Sequence, residues 1–153
     1  GSLFGCCFQL AAVSNNLTKK NELQKFYDIG EKIGIIFQIK DDILDYNKSN
    51  LTGKSMGNDL KESKINLPLL HTLKKASFFE NQQILKILNK KKVLDNEISF
   101  ICKLVYKNNG IEFSKNKIDI LVNEVINDLA IFSDSKYKRS LIDLINYIKI
   151  RTK

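Results

Sequence analysis

The chain has 153 residues, 43% of them apolar and 27% charged, with one Pro and seven Gly. That length suits one domain with a substantial core, and the balance of residue types excludes collagen, a coiled-coil rod and wholesale disorder. The net charge of +8 is carried almost entirely by Lys spread along the whole chain. No arginine-rich or aromatic-interleaved stretch marks a nucleic-acid surface, and an AT-rich coding sequence accounts for the abundance of Lys, Asn and Ile.

In chain order, residues 2–14 (SLFGCCFQLAAVS) predict a mostly buried helix, stopped by Asn15-Asn16. Thr18 is placed to cap a second helix from Lys19 to about Tyr46, in which Leu23, Phe26, Tyr27, Ile29, Ile33, Ile36, Phe37 and Ile39 recur near helical spacing. Residues 47–58, rich in Asn, Ser and Gly, predict a loop. A short helix is expected from Leu67, with Pro68 in a first turn where its missing N–H costs nothing. Helices over 81–90 and 95–108 follow, and Asn108-Asn109-Gly110 predicts a stop, because Asn and Gly tolerate the left-handed conformation that closes helices. Two amphipathic helices, over 110–132 and 136–151, complete the chain. Strand-like alternation is absent, so the fold class is all-α.

Cys6, Cys7 and Cys102 make an odd count without CxxC or Cys/His spacing, which argues against zinc and for reduced thiols in a cytoplasmic protein. Cys6 and Cys7 are expected to be buried as small apolar residues. Every apolar run breaks well short of the roughly 20 residues that span a bilayer, so no transmembrane segment is expected. The opening GSLFGCCFQL has neither initiator Met nor charged leader, and the chain is expected to belong to something longer.

The chemistry concentrates in FQIKDDILDY. Asp41 and Asp45 stand four apart and share one helix face, with Cβ atoms about 5–6 Å apart. Asp42 is turned about 100° from Asp41. Like charges at this spacing weaken a bare helix by a few tenths of a kcal/mol. A hard cation compensates, because Mg2+ prefers carboxylate, water and phosphate oxygens. Spacing alone equally fits a solvated acidic helix end neutralised by Lys40 and Lys48. Downstream, GKSMGNDLKESKINLPLL carries Lys54 and Lys64 around Asp59 and Glu62, a mixture that suits a metal–diphosphate ligand. The lone His71 reads as structural.

Taken together, Gly34–Tyr46 (GxxFQIxDDxLDY) and Gly53–Leu69 (GKxxGxDLxExKxxLPL) resemble the trans-isoprenyl diphosphate synthases, the farnesyl, geranylgeranyl and longer polyprenyl diphosphate synthases. Weaker likenesses extend over the rest. SLF resembles the segment after the family's Lys-Thr pair, and GIEFSKNKIDILVNEVINDL with the terminal YIKIR resembles its closing helices. The adjacent cysteines and the FQIKDD form look most like the bacterial long-chain, octaprenyl-type enzymes.

The resemblance implies the C-terminal part of the isoprenoid synthase helical bundle. It implies Mg2+ held by Asp41, Asp42 and Asp45 against an allylic diphosphate, with Asp41 the most direct ligand. Phe37 and Gln38 would line the substrate cavity, Gln38 near the diphosphate, and Lys54 and Lys64 would contact the diphosphate. Asp41, Asp42, Gln38 and Lys54 are thus the implied catalytic set. The implied reaction is prenyl transfer: an allylic diphosphate ionises, the double bond of isopentenyl diphosphate attacks, and a proton leaves, with no side-chain nucleophile required. A homodimer is also implied.

Three positions depart from the family: Ile36 where a small residue is usual, and Ser63 and Asn66 where Gly and Thr are usual. The family's first aspartate-rich motif, its isopentenyl diphosphate-binding basic residues and its Lys-Thr pair lie N-terminal to the matched segments and are not among these 153 residues. The segment alone is therefore expected to be inactive. The alternative is a non-catalytic or regulatory subunit, or a truncated synthase acting as a helical partner; a terpene cyclase would carry a different second metal motif.

Overall fold

The structure is a computed structural model that describes residues 1–47 and 57–152. Among the described residues the secondary structure is entirely helical: α1 (Ser2–Ser14), α2 (Lys20–Leu44), α3 (Asn58–Lys61), α4 (Leu67–Lys75), α5 (Phe78–Leu88), α6 (Asp95–Lys107), α7 (Gly110–Leu129) and α8 (Lys136–Ile150). The chain divides into two compact units, one of residues 1–40 with 117–152 and one of residues 41–116, so the boundary falls within α2 and within α7.

The first unit holds α1, most of α2, most of α7, and α8. Its core is built by helical periodicity: Ile29, Ile33, Ile36 and Ile39 of α2, Ile118, Val122, Val125 and Leu129 of α7, and Ile145 and Ile148 of α8 are all buried. Burying one such isoleucine contributes on the order of 2 kcal/mol. Ile36, which stands where the family uses a small residue, is completely buried in this core. A Cβ on Gly30 would lie 2.5 Å from the Phe4 carbonyl oxygen, so the absence of a side chain is what lets α1 approach α2. Lys32 joins α2 to α7, its Nζ 2.8 Å from Asp128 and 3.2 Å from Glu124. Lys149 of α8 pairs with Asp119 of α7 at 2.7 Å. The α1–α2 turn passes through Asn16 at φ 61, and the Lys19 carbonyl accepts the first helical bonds of α2. Lys19, rather than Thr18, therefore occupies the capping position. The last helix of this unit begins where Ser135 Oγ accepts from the Lys138 N–H.

The expectation that Cys6 and Cys7 are buried is wrong; both are exposed, and only Cys102 is buried. Helix α1 turns Gly5 and Ala12 inward and half-buries Phe4 and Phe8. Leu3, Cys6, Cys7 and Leu10 fall on its outer side at steps of three and four.

The second unit holds the end of α2, helices α3 to α6, and the start of α7. Ile43, Tyr46, Leu60, Leu69, Ile84, Ile98, Ile101, Val105 and Ile111 form its core. His71, read as structural, stacks on Phe113 with ring centroids 4.1 Å apart. The stop between α6 and α7 places Asn109 in the left-handed region at φ 56, whereas Gly110 is already the first residue of α7.

Helix α5 starts at Phe78, three residues before its apolar run, because Ser77 and Glu80 form a reciprocal capping box. The bond from Lys107, followed by those from Ser77, holds the Glu80 carboxyl down to about 2. The folded value lies below the unfolded one, so this stabilisation is fully present above the ordinary carboxylate range near 4.3 and drains as pH falls toward about 2. An NMR titration of the Glu80 side chain is expected to show its midpoint near 2; a midpoint near 4.3 would mean that neither the Lys107 bond nor the cap is formed.

Candidate functional site

Helix α2 delivers the acidic motif. Asp41 and Asp42 occupy its last turn, which contains no basic residue. The C-terminus of a helix carries the negative end of the macrodipole, so each carboxylate there is disfavoured by about 0.3–1 kcal/mol. Asp41 is half-buried and Asp42 is only 9% exposed. A cation at this turn is favoured by both the dipole and the carboxylates. Mg2+ is commonly held by one or two carboxylates together with phosphate oxygens and water, so the Asp41–Asp42 pair fits that ion. Among the described residues no group of three or more His, Cys, Asp or Glu side chains is arranged to hold a metal.

Asp45 lies beyond the end of α2, and its carboxylate reaches the start of α3. Its Oδ1 accepts the Asn58 N–H and its Oδ2 the Asp59 N–H, each at 3.0 Å. These are the first two amides of α3. Gly57 precedes them in the left-handed region at φ 75, and a Cβ there would stand 2.4 Å from Ile98 Cγ2. The position ahead of α3 therefore cannot supply a capping side chain, and Asp45 supplies the cap from across the chain. Its own carbonyl also accepts the Gly57 N–H at 2.9 Å.

Lys64 follows three residues after α3. Its amide donates to the Asp59 carbonyl at 2.8 Å, and its exposed ammonium pairs with Glu62 at 2.6 Å. The Glu62 hydrogen bond is the main cause of its raised pKa, and Asp59 and Asp45 add smaller coulombic support. The two departures from the family pattern acquire reasons here. Ser63 sits at φ 55, a conformation native to Gly that costs other residues roughly 1 kcal/mol. Its Oγ offsets this by donating to the Leu88 carbonyl at 2.6 Å. Asn66 caps α4 as a Thr would, accepting the Leu69 N–H.

Phe37 and Gln38 lie one turn before the aspartates on α2, Phe37 half-buried and Gln38 exposed. The guanidinium of Arg151 lies 4.4 Å from the Phe37 ring centroid, within cation–π range, and Phe4 lies 6.0 Å away on centroids. Arg151 was not among the expected site residues; its signal was the YIKIR likeness at the chain's end. Lys40 donates to the Lys149 carbonyl at 2.8 Å. Lys54 and Lys48 lie outside the described residues. The structure thus joins Asp45 with the Lys64 segment and sets Asp41 with Asp42.

With this geometry in hand, the fold identifies the class. The chain superimposes on geranylgeranyl pyrophosphate synthase from Bacteroides thetaiotaomicron with a TM-score of 0.88 and 33% identity, over 97% of this chain and 49% of that one. It superimposes on a Caulobacter crescentus polyprenyl synthase, solved with calcium and isoprenyl diphosphate, with a TM-score of 0.86 at 22% identity, over 99% of this chain and 46% of that one. The architecture is the helical isoprenoid synthase fold.

Residues 1–105 match the polyprenyl synthetase family model, and the chain belongs to that family. In sequence it is 27% identical over 146 residues to octaprenyl diphosphate synthase of Haemophilus influenzae, which covers 93% of this chain and 43% of that protein. It is 33% identical over 121 residues to a prenyl transferase of Cyanidium caldarium, covering 78% of this chain and 36% of that protein. The chain spans less than half the length of these curated relatives.

Proposed function

We propose that this segment carries the second metal–diphosphate cluster of a prenyltransferase that condenses an allylic diphosphate with isopentenyl diphosphate to make polyprenyl diphosphate. The observation that carries the reading is the Asp41–Asp42 pair in the last turn of α2, at the negative end of the helix dipole, with no basic residue in that turn. Asp41 and Asp42 hold Mg2+ in this reading, and Asp45 belongs to the same motif. Bound there, the ion would neutralise charge on the diphosphate leaving group. Lys64, and Lys54 by its motif position, would bind the diphosphate oxygens. Gln38 would orient the diphosphate end of the substrate, while Phe37 would keep water from the allylic carbon.

Among the described residues no helix is long and apolar enough to cross a membrane. We place the protein in the cytoplasm and, by family likeness, in a homodimer. Because the first aspartate cluster of the family is not among the 153 residues, the segment is proposed to need that cluster from additional sequence. The 153-residue protein given Mg2+, an allylic diphosphate and isopentenyl diphosphate should form no elongated product. Sustained elongation by it alone would overturn the division of the site.

A further inference from the structure

The two residues that leave α2, Asp45 and Tyr46, fasten the two ends of one downstream segment. Asp45 accepts the Asn58 and Asp59 amides through its two carboxylate oxygens, at 3.0 Å each. Tyr46, fully buried, donates its hydroxyl to Asn66 Oδ1 at 2.7 Å. Burial pushes the Tyr46 phenol upward, so it remains a neutral donor. Asn66 closes the circuit by donating from Nδ2 to Asp59 Oδ2 at 3.2 Å, and Tyr106 fixes the origin by donating to the Tyr46 carbonyl at 3.2 Å. Lys64 lies inside this ring, its amide on the Asp59 carbonyl. The segment is thereby registered against the same helix end that bears Asp41 and Asp42.

We propose that Asp45 is a positioning residue and not a metal ligand: its carboxylate ties the end of α2 to the start of α3 and so sets where Lys64 stands. This assignment rests on the reading of Asp41, Asp42 and Lys64 as a magnesium–diphosphate site. Spacing makes the three aspartates look equivalent, but Asp45 lies beyond the helix that holds the other two, and both its carboxylate oxygens cap α3. Gly57 has no side chain with which to cap α3, so withdrawing the Asp45 oxygens toward a metal would leave two N-terminal amides without their acceptor.

Two measurements on the 153-residue protein test it. In amide hydrogen exchange, Asp45→Ala should speed exchange at Asn58, Asp59 and Lys64 at least tenfold, because the cap is gone. Asp45→Asn, which keeps one capping oxygen, should leave Lys64 and one of the Asn58 and Asp59 amides within about threefold of wild type, and Asp41→Ala should leave these amides unchanged. In calorimetric titration with inorganic pyrophosphate and Mg2+, Asp45→Ala should weaken binding at least tenfold while Asp45→Asn stays within about threefold. A metal ligand would behave otherwise, since both variants remove the anionic oxygen pair.

Equal loss of pyrophosphate affinity in Asp45→Asn and Asp45→Ala would overturn the assignment. So would Lys64 exchange within twofold of wild type in Asp45→Ala. Should Asp45→Ala not fold, Asp45→Asn decides alone, a tenfold loss of affinity marking a metal ligand. If the wild-type protein binds no magnesium pyrophosphate, the diphosphate reading fails by itself, and hydrogen exchange still decides the role of Asp45.

Discussion

Replacing Asp41 by Ala is expected to lower kcat at least a hundredfold in an active synthase that contains this segment, while leaving α2 folded. A hundredfold corresponds to about 2.7 kcal/mol of transition-state stabilisation, a loss in keeping with removing one oxygen donor from a metal that stabilises a leaving group. Asp41 lies in the last turn of α2 beside Asp42, at the negative end of the helix dipole, so the variant should keep the helical circular-dichroism signal of wild type while turnover falls. Activity within about twofold of wild type would make the metal assignment wrong.

The second large effect is on folding. Gly57→Ala should destabilise the protein by about 3 kcal/mol, from two sources of similar size. A residue with a Cβ at φ 75 carries the left-handed penalty of about 1–2 kcal/mol. The new methyl, 2.4 Å from Ile98 Cγ2, must also displace a fully buried side chain of α6, and overpacking of this kind costs about 1–3 kcal/mol. Urea unfolding should show a lower midpoint with an unchanged slope. A change below about 0.5 kcal/mol would mean that the turn into α3 is not held as described.

Most of the fold was legible because most helices are long enough to repeat an apolar face. Ile29, Ile33, Ile36 and Ile39 mark α2 without help from tertiary structure. Helix α3, by contrast, has four residues and no period to read, and its start is set by the distant Asp45 carboxylate. The early start of α5 was written in Ser77-Phe78-Phe79-Glu80, but the cap lies ahead of the buried positions Ile84 and Leu88. Phe132 was expected to continue α7; instead the helix ends at Leu129, and the Phe132 ring packs on Phe26 with centroids 5.2 Å apart. Cys6 and Cys7 misled because α1 is apolar all round, a pattern usually read as full burial.

The candidate site was legible to a similar degree, through its spacing but not its division of labour. Asp41 and Asp42 occupy the last turn of α2. That Asp45 serves as the cap of α3 was not legible, because Asn58 and its acceptor stand thirteen residues apart in sequence and Gly57 ahead of the helix brings no side chain of its own. Ser63 and Asn66 looked like weakened matches; in this chain Ser63 takes the left-handed turn after α3 and Asn66 caps α4. Arg151 over Phe37 required the folded chain, since more than a hundred residues separate the two in sequence.

The most direct test of the central claim is calorimetric titration of an isoprenyl diphosphate into the 153-residue protein, with Mg2+ and with EDTA, for wild type and Asp41→Ala. Binding should require Mg2+ and should weaken at least tenfold in the variant. Affinity that is unchanged by EDTA, or unchanged by Asp41→Ala, would contradict the assignment of this helix end as a metal–diphosphate site.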